Sequence, residues 1–417
     1  MECDLAGEGW VMRWTERGMI SMVWKLGGEM VHGMSFDLLM LRIHGRALGY
    51  LRKILLGLVF VPAAFSQNLD SLQKNFVAMK YGMFLHFNMG TYQMKEYADP
   101  NLDPDLFNPD SLDCGQWADA AKAAGMKYMV LTVKHIDGFC LWNSAYTTHD
   151  VGSSAWRQGK GNVVKEFVDS CRSRGLAVGI YYCFWDQTHA DDGDTTYIKN
   201  QLKELLTDYG PISLLWLDGW GWQIPYVKIP YETIRKTIKS IQPNCLLINN
   251  NQEHDLARSE IVEWEKGGHQ GTSIPDNNLL PSEMCETVSA KGKWFYAGQA
   301  EADNLYSAEV LTGLLKACNT RNANFLLDVA PTPHGKIPAS QVARIRELGL
   351  APSGIEWPRP QAWTEGSRSG RSYSISIPGT GRVMHPTALG ESLIDIRGRQ
   401  FGWALTRAAA ASAAGKN

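Results

Sequence analysis

The most distinctive group of reactive side chains surrounds Asp218, in the segment Trp216-Leu217-Asp218-Gly219-Trp220. An apolar run ends at this aspartate, and Gly219 allows the chain to turn sharply after it. Hydrolysis of a glycosidic bond requires two carboxyl groups that flank the bond, one as nucleophile or base and one as proton donor. Asp218 suits the first role. An aspartate before a glycine also commonly caps a helix, so the residue types alone leave both interpretations open.

The sequence offers two candidates for the second carboxyl group. Glu263 precedes Trp264, and an aromatic neighbour can raise the pKa of a carboxyl group by excluding water. Glu283 lies in what we predict to be a loop, ahead of an apolar segment that begins at Trp294. A solvated loop position is the ordinary alternative for either glutamate.

Aromatic and histidine side chains supply further features of a carbohydrate site. The chain has 15 Trp, and flat aromatic rings pack against the apolar faces of sugars, although most of these residues could equally belong to the core. His86 and His135 end two neighbouring apolar segments and could donate hydrogen bonds to sugar hydroxyl groups. A structural histidine with satisfied hydrogen bonds is the alternative for each.

Short apolar segments alternate with amphipathic helices through the middle of the chain. Segments of the buried-strand type are 81–87, 126–133, 176–182, 213–217, 245–248, 294–297 and 324–329, with a weaker one at 260–264. Helical spacing is clear in Leu202, Leu205, Leu206 and Tyr209. About eight strands separated by helices predict an α/β fold, either a closed (β/α)8 barrel of the TIM type or an open doubly wound sheet.

The positions of polar residues favour the barrel. In (β/α)8 barrels, the catalytic groups come from the carboxyl ends of several different strands. Here three predicted strands end at His86, His135 and Tyr182, with Trp185 shortly after the third, and the fourth ends at the aspartate described above. We therefore predict a catalytic barrel over residues 67–350.

Composition and motif content exclude several classes of protein. Lys+Arg number 41 and Asp+Glu number 43, for a net charge of −2, so no basic excess is available to bind nucleic acid. The eight Cys are scattered without a C-x-x-C pair, and HExxH, P-loop and dinucleotide-binding motifs are absent. We expect no metal, no other cofactor and no nucleic-acid partner. The G-x-S-x-G elbow of an open-sheet esterase is absent as well.

Both ends of the chain differ in character from the middle. Two basic residues precede an apolar run at 54–65 that ends in a small-x-small pattern, which is typical of a secretory signal peptide. The run is too short to span a membrane. We predict that Met40 is the true start, so that residues 1–39 are an upstream extension and residues 40–66 a signal peptide. Residues 351–417 are predicted to be an irregular tail or the remnant of an accessory domain.

Several of these segments together resemble the α-L-fucosidases of glycoside hydrolase family 29. The matching segments are Phe84-Leu85-His86-Phe87, Phe107-Asn108-Pro109, Gln116-Trp117, Ala123-Ala124-Gly125-Met126-Lys127-Tyr128, Lys134-His135-Ile136-Asp137-Gly138-Phe139, Leu141-Trp142, Gly159-Lys160-Gly161-Asn162 and Trp216-Leu217-Asp218-Gly219. The resemblance extends from Phe76 to Leu350. Within the family, the chain looks closest to the subfamily that prefers α-1,3/4-linked fucose.

The resemblance implies a (β/α)8 barrel, a retaining double displacement and no metal. Asp218 matches the nucleophile of the family, while Glu283, or else Glu263, resembles its acid/base. The fucose-binding positions that the resemblance implies are His86, His135, Tyr182 and Trp216, the pair Glu96-Tyr97 in place of a Glu-Trp pair, and Trp142, whose role could be packing.

Two departures from the family pattern affect these expectations. Ile136 stands where the family usually has a second histidine, so one contact to a sugar hydroxyl group could be missing. The C-terminal β-sandwich of the family is expected to be absent or truncated after Leu350.

The sequence therefore predicts an exported, periplasmic or secreted exo-glycosidase that removes terminal α-L-fucose from oligosaccharides or glycoconjugates. Its expected partner is a fucosylated oligosaccharide or glycan substrate, and no stable membrane insertion is expected after signal cleavage. Two alternatives remain open: a related barrel glycosidase acting on α-galactosides, and a catalytically inactive carbohydrate-binding barrel.

Overall fold

The computed structural model describes residues 67–189, 194–265 and 274–349, together with a few short strands outside these ranges. The chain divides into two compact units, Met1–Phe65 and Ser66–Asn417. The second unit contains the elements that carry the candidate site.

The first unit is described by four short strands. These are β1 (Gly9–Trp14), β2 (Ile20–Leu26), β3 (Glu29–Val31) and β4 (Ser35–Phe36), and β2 pairs antiparallel with each of the other three. They fall within residues 1–39, whose assignment as an upstream extension stays a prediction. The predicted signal peptide, residues 40–66, lies outside the described residues.

Eight parallel strands form the barrel of the second unit. They are β5 (Tyr81–Leu85), β6 (Tyr128–Lys134), β7 (Ala177–Cys183), β8 (Leu214–Asp218), β9 (Leu246–Asn249), β10 (Val262–Glu265), β11 (Ser282–Thr287) and β12 (Ala323–Val329). The strands pair in the order β10-β11-β12-β5-β6-β7-β8-β9. A parallel bridge between Ile248 in β9 and Ile261, directly before β10, joins the two ends of this sheet. The predicted (β/α)8 barrel is confirmed.

Helices lie between the strands along the chain. They are α1 (Leu69–Ala78), α2 (Met89–Gln93), α3 (Cys114–Ala123), α4 (Val163–Ser173), α5 (Thr195–Thr207), α6 (Tyr231–Ile241), α7 (Gln299–Ala302), α8 (Ala308–Thr320) and α9 (Ala339–Gly349). Side-chain caps define several starts, as where Asn162 accepts a hydrogen bond from the backbone of Lys165 at the start of α4. The same helix buries Phe167, Val168 and Cys171 on one face, and this apolar face attaches the helix to β6 and β7.

One predicted strand is wrong, and its replacement lies close by. The segment 294–297 is a loop, whereas the residues around Glu283, predicted to be a loop, form β11. The barrel side of β11 carries the buried carboxyl group of Glu283, so a search for continuous apolar runs passes over it. The apolar residues Trp294 and Phe295 do not belong to a strand; they line a cavity at the mouth of the barrel.

Beyond α9, the structure describes only the paired two-residue strands β13 (Ile375–Ser376) and β14 (Val383–Met384). The rest of the predicted tail, and with it the expectation about the β-sandwich, lies outside the described residues. Among the described helices, none is long and apolar enough to cross a membrane.

Candidate active site

A cavity of about 720 Å³ opens at the carboxyl ends of the barrel strands, where barrel enzymes place their active sites. The structure brings seven of the predicted site residues together in its wall: His86, Glu96, Tyr97, His135, Trp185, Trp216 and Asp218. The wall combines aromatic rings with carboxyl and imidazole groups. Such a lining suits a polar ligand that also has apolar C–H faces, as sugars do.

Asp218 ends β8 and is held by several hydrogen bonds. Its Oδ2 accepts from the hydroxyl of Tyr181 at 2.8 Å, and its Oδ1 accepts from the backbone N–H of Gly219 at 2.7 Å. Gly219 has a φ of +69°, and a Cβ there would lie 2.9 Å from the Cβ of Trp185. The glycine is therefore required for the chain to turn at this point.

Asn250 connects Asp218 to a second carboxyl group in the cavity, that of Glu265 at the end of β10. The Nδ2 of Asn250 lies 2.7 Å from Oε2 of Glu265 and 3.3 Å from Oδ1 of Asp218. The sum of these two distances is an upper limit on the separation of the two carboxyl oxygens. One amide group thus holds two carboxyl groups side by side.

The two carboxyl groups differ in how well each is stabilised as an anion. Burial, reinforced by the negative charge of Asp218, raises the pKa of Glu265 to about 7. Burial also raises the pKa of Asp218, but hydrogen bonds from Tyr181, Gly219, Trp222 and Asn250 act in the opposite direction. Hydrogen bonds to a carboxylate favour its charged form. Asp218 accepts four such hydrogen bonds and Glu265 one, from Asn250, so the surroundings favour the ionised form of Asp218 more than that of Glu265.

His86 and His135 are neutral imidazoles in the inner wall. Burial lowers the pKa of each to about 3, although the charges of Glu96 and Asp218 oppose this for His86. The Nδ1 of His86 lies 2.7 Å from Oδ1 of Asp328, so Nε2 is the nitrogen available to a ligand. The buried Nδ1 of His135 has no hydrogen-bond partner among the described residues, and a ligand hydroxyl group could supply one.

Four further predicted residues line the cavity: Glu96, Tyr97, Trp185 and Trp216. Glu96 accepts a hydrogen bond at 3.2 Å from the backbone N–H of Trp294, and Trp294 lies beside His86, with ring centroids 5.1 Å apart. Tyr97 stacks on His135 at the mouth. Trp216 stacks on Tyr181, with ring centroids 5.3 Å apart and an interplanar angle of 23°.

Glu263 and Glu283, the two predicted acid/base candidates, lie in the barrel interior and do not line the cavity. They are paired neighbours on β10 and β11, whereas Glu265 is paired with Cys285, two residues further along both strands. Side chains two residues apart on a strand point the same way, so both pairs face the barrel interior. Only Glu265 and Cys285, which lie nearer the carboxyl ends of their strands, reach the cavity. Glu283 instead accepts hydrogen bonds from the hydroxyl of Tyr128 and the indole of Trp216.

Glu263 and Glu283 form a layer of buried carboxyl groups below the cavity, and burial favours their protonated forms. Burial raises the pKa of Glu283 to about 7, and burial together with the charge of Glu283 raises that of Glu263 well above its ordinary value. Tyr128 fits beneath the cavity because the opposite residue is Gly82, where a Cβ would lie 2.4 Å from the tyrosine ring. The layer closes the barrel below the cavity.

Tyr182 and Trp142 were predicted to line the sugar pocket, and the structure places both outside the cavity. The hydroxyl of Tyr182 donates to Gln201 at 2.7 Å, on α5. The indole of Trp142 donates to Glu204 of the same helix at 2.9 Å. Both side chains therefore attach α5 to the barrel, and Tyr181 is the residue of β7 that faces the ligand space.

Tyr181, Asn250 and Glu265 line the cavity as well, but the sequence analysis did not assign them to the site. The alternation of side chains could have found two of them. Tyr181 is paired with Trp216 across β7 and β8, and Glu265 lies two residues beyond Glu263, nearer the carboxyl end of its strand. No sequence signal singles out Asn250, because its role depends on where β8 and β10 end in space.

Within the described residues, no group of three or more His, Cys, Asp and Glu side chains is arranged to hold a metal ion. The structure does show a pair of carboxyl groups in the wall of a cavity lined by aromatic residues. Such a pair can perform nucleophilic and acid–base chemistry with the protein's own side chains.

The fold and the paired carboxyl groups are those of the (β/α)8-barrel glycoside hydrolases. More specifically, the chain belongs to the α-L-fucosidase family, because the family model described as Alpha-L-fucosidase matches residues 89–350. The resemblance of the sequence to this family is thereby confirmed, whereas the subfamily that prefers α-1,3/4-linked fucose stays a prediction.

Relatives with assigned names agree with this family. The chain is 44% identical over 289 residues to a putative α-L-fucosidase 1 of Oryza sativa subsp. japonica, covering 64% of this chain and 55% of that protein. It is 31% identical over 292 residues to α-L-fucosidase 1 of Arabidopsis thaliana, covering 64% of this chain and 56% of that protein. The chain thus spans about half the length of the curated relatives it matches.

A solved structure of a glycoside hydrolase 29 family member from an unknown rumen bacterium has a similar fold. Its TM-score is 0.60 at 30% identity, and the match covers 67% of this chain and 56% of that one.

Proposed function

We propose that this protein is a retaining exo-glycosidase that hydrolyses terminal α-L-fucose from oligosaccharides or glycoconjugates. Membership of the α-L-fucosidase family supports the sugar. The observation that carries the mechanism is the connection of Asp218 to Glu265 through one amide group of Asn250. The fucosylated substrate would occupy the cavity with its anomeric carbon between these two carboxyl groups.

Asp218 acts as the nucleophile in this proposal. An oxygen of Asp218 forms an ester bond to the anomeric carbon while the bond to the leaving oxygen breaks, and Glu265 transfers its proton to that oxygen. Water then attacks the anomeric carbon, gives a proton to Glu265 and releases Asp218. Two inversions leave the configuration retained.

The spacing of the carboxyl groups supports retention over inversion. Retaining glycosidases hold their carboxyl groups about 5–5.5 Å apart, and inverting ones about 6.5–9.5 Å, to make room for water. The two hydrogen bonds of Asn250 bring one oxygen of Glu265 and one oxygen of Asp218 to the same amide nitrogen, a close spacing that suits the retaining arrangement.

We propose Glu265 as the acid/base in preference to Glu283 or Glu263. An acid/base group must reach the glycosidic oxygen directly or through one water molecule. Glu265 lines the cavity, whereas the other two glutamates lie in the layer below it. A pKa of about 7 suits a group that must give and take a proton near neutral pH.

The test compares aryl α-L-fucoside with α-L-fucosyl fluoride, whose leaving group needs no proton. We expect the Asp218→Ala variant to lose activity on both substrates by several orders of magnitude, with partial restoration by azide. The Glu265→Gln variant should lose about 10²–10⁴-fold on the aryl fucoside and far less on the fluoride. An aryl α-galactoside serves as the control substrate, and faster turnover of it than of the fucoside would contradict the proposal.

We also propose that the protein is exported, to the periplasm or the exterior, after cleavage before Gln67. The basic, apolar and small-residue pattern at 52–66 supports this. N-terminal sequencing of the protein from the culture medium or periplasm should begin at Gln67, and a mature protein that begins well upstream would contradict the proposal.

A further inference from the structure

The indole of Trp216 lies between the cavity and the layer of carboxyl groups beneath it. Its ring lines the cavity, yet the side chain is buried. The Nε1 of this ring donates a hydrogen bond to Oε1 of Glu283 at 3.1 Å. A buried indole N–H requires an acceptor, and this bond fixes the direction in which the N–H edge of the ring points. Glu283 therefore sets the orientation of one ring of the cavity wall.

Glu283 is itself held in place below the cavity. Its Oε2 accepts a hydrogen bond from the hydroxyl of Tyr128. The ring of Tyr128 fits over Gly82 and packs against Phe76, with ring centroids 5.4 Å apart. A buried carboxyl group with both oxygens engaged in hydrogen bonds has little freedom to rotate. It thus provides a fixed acceptor for the indole above it.

Trp216 in turn supports the ring of Tyr181. The two residues are direct neighbours across β7 and β8, and their rings stack. Phe84 packs against both, with its ring centroid 5.2 Å from that of Trp216 and 5.9 Å from that of Tyr181. Three buried rings in mutual contact leave no space for one of them to turn alone. The orientation of Trp216 therefore restricts that of Tyr181.

Tyr181 brings its hydroxyl group to Asp218. The hydroxyl oxygen lies 2.8 Å from Oδ2 of the carboxyl group. Burial, together with the charge of Asp218, raises the pKa of Tyr181 well above its ordinary value, so the hydroxyl keeps its proton and donates it to the hydrogen bond. This bond acts to lower the pKa of Asp218. Tyr181 thus both orients an oxygen of Asp218 and favours its ionised form.

We propose that Glu283 is a positioning residue, which acts on the nucleophile Asp218 through the ring of Trp216. The indole keeps Tyr181 in the position from which its hydroxyl donates to Asp218. The inference rests on the proposed function, because it takes Asp218 as the nucleophile. It gives the buried glutamate a part in nucleophilic attack that requires neither proton transfer nor contact with the substrate.

The acidic limb of the kcat/KM profile for α-L-fucosyl fluoride tests this role, measured with the full chain. The limb reports the ionisation of the nucleophile, since the fluoride needs no proton donor. We expect Glu283→Leu to move the limb to higher pH by about one unit, because the hydroxyl of Tyr181 is no longer held against Asp218. Removal of a negative charge at position 283 would by itself move the limb to lower pH, so the direction separates positioning from a charge effect.

Other ionisable groups on neighbouring elements also face the nucleophile, namely His86, Tyr97, Cys183 and Glu265. The substitution at position 283 leaves all of them in the protein. Tyr181→Phe is the reference variant, because it removes the hydroxyl directly and should move the limb in the same direction. Adding Glu283→Leu to Tyr181→Phe should then cause no further shift, since no hydroxyl remains to be positioned.

Rates separate a positioning role from an acid/base role. We expect Glu283→Leu to lower kcat/KM by about tenfold or more on the fluoride and on an aryl fucoside alike, because both substrates need a correctly placed nucleophile. Loss on the aryl fucoside alone would overturn the positioning role. Glu283→Gln should restore the limb and most of the activity, because its carbonyl oxygen can accept from the indole.

Tyr128→Phe is the matched control. It removes the other donor to Glu283 and keeps the ring that fits over Gly82, so its acidic limb should equal that of the parent. Trp216→Phe removes the indole N–H without changing Glu283, and it should reproduce the shift even if Glu283→Leu does not fold. An unmoved limb in Trp216→Phe, an equal shift in Tyr128→Phe or additive shifts in the double variant would overturn the inference. A folded parent that does not hydrolyse fucosyl fluoride would instead refute the proposed function itself.

Discussion

The Nζ of Lys134 lies 2.8 Å from Oδ2 of Asp186, and both side chains are buried. The two residues directly adjoin His135 and Trp185, which line the cavity. Tyr182 and Tyr197 add hydrogen bonds to the pair. This ion pair therefore joins the end of β6 to the segment that follows β7, next to two residues of the cavity wall.

Removal of one partner of this pair should destabilise the protein strongly. We expect Lys134→Met to lower the free energy of unfolding by about 3–5 kcal/mol, because it leaves the carboxylate of Asp186 buried without a counter-charge. Urea unfolding measures the change. The control is Lys165→Met in the exposed pair with Asp169, where the loss should be about 1 kcal/mol or less. Equal losses in both variants would contradict the prediction.

The same pair should make stability depend on pH in the acidic range. Burial raises the pKa of Asp186, but the charge of Lys134 and several hydrogen bonds outweigh it, so the pKa falls below its ordinary value. The stabilisation is complete above that ordinary value of about 3.9 and is lost as the pH falls further. We expect the stability difference between the parent and Asp186→Asn to shrink below about pH 4 in urea unfolding. A constant difference down to pH 2 would contradict this.

Glu265 should set the basic limb of the activity profile. Because its pKa is about 7 and the proton donor must be protonated, kcat/KM for an aryl fucoside should fall above about pH 7. The hydrogen bond from Asn250 lowers the pKa of Glu265. In Asn250→Ala, the basic limb should therefore move to higher pH, and a shift to lower pH would argue against Glu265 as the acid.

Glu283 should tolerate a neutral substitute that Glu265 cannot. Glutamine at position 283 can accept the hydrogen bond from the Trp216 indole through its carbonyl oxygen, while its NH2 group can donate to the Tyr128 hydroxyl, which then acts as the acceptor. We expect Glu283→Gln to keep kcat/KM for an aryl fucoside within about tenfold of the parent, against the loss of about 10²–10⁴-fold expected for Glu265→Gln. The reverse order of losses would return the acid/base role to Glu283.

Asp328 should act through the histidine that it positions. Asp328→Leu removes the partner of Nδ1 of His86, and a buried polar group without a partner costs about 1–3 kcal/mol. We expect KM for an aryl fucoside to rise about tenfold with a smaller change in kcat, and Asp328→Asn to restore part of the loss. Unfolding in urea monitors stability in parallel, and a variant with unchanged KM would contradict the positioning role.

Most of the barrel could be predicted from the sequence because six of its strands contain apolar runs, and a seventh, β10, overlaps the weaker segment 260–264. The run at 176–182, for example, became β7, since both sides of a barrel strand are covered. β11 escaped prediction because Glu283 faces the barrel interior, where a hydrogen-bonded carboxyl group replaces an apolar side chain. The apolar run at 294–297 was predicted to be a strand, but it is a loop whose residues Trp294 and Phe295 line the cavity.

The candidate site was predicted where a residue terminates a strand and its type is distinctive. Asp218, His86 and His135 are such residues, and all three line the cavity. Tyr182 was one residue away from Tyr181, which faces the cavity, because an apolar run does not reveal which side of a strand faces the barrel axis. The sequence could not show that Glu263 and Glu283 lie below the cavity, since depth along the barrel is not visible in the order of residues.

The sequence by itself determined the alternation of strands and helices, the reactive residues that end several strands and the resemblance to one glycosidase family, because these depend on local patterns. The tertiary structure decided which carboxyl group accompanies Asp218. Glu263, Glu265 and Glu283 are the same residue type, and their neighbours along the chain do not show which of them reaches the cavity. Only the register of β10 against β11, and the reach of Asn250 from the end of β9, place Glu265 in the cavity and bury the other two beneath it.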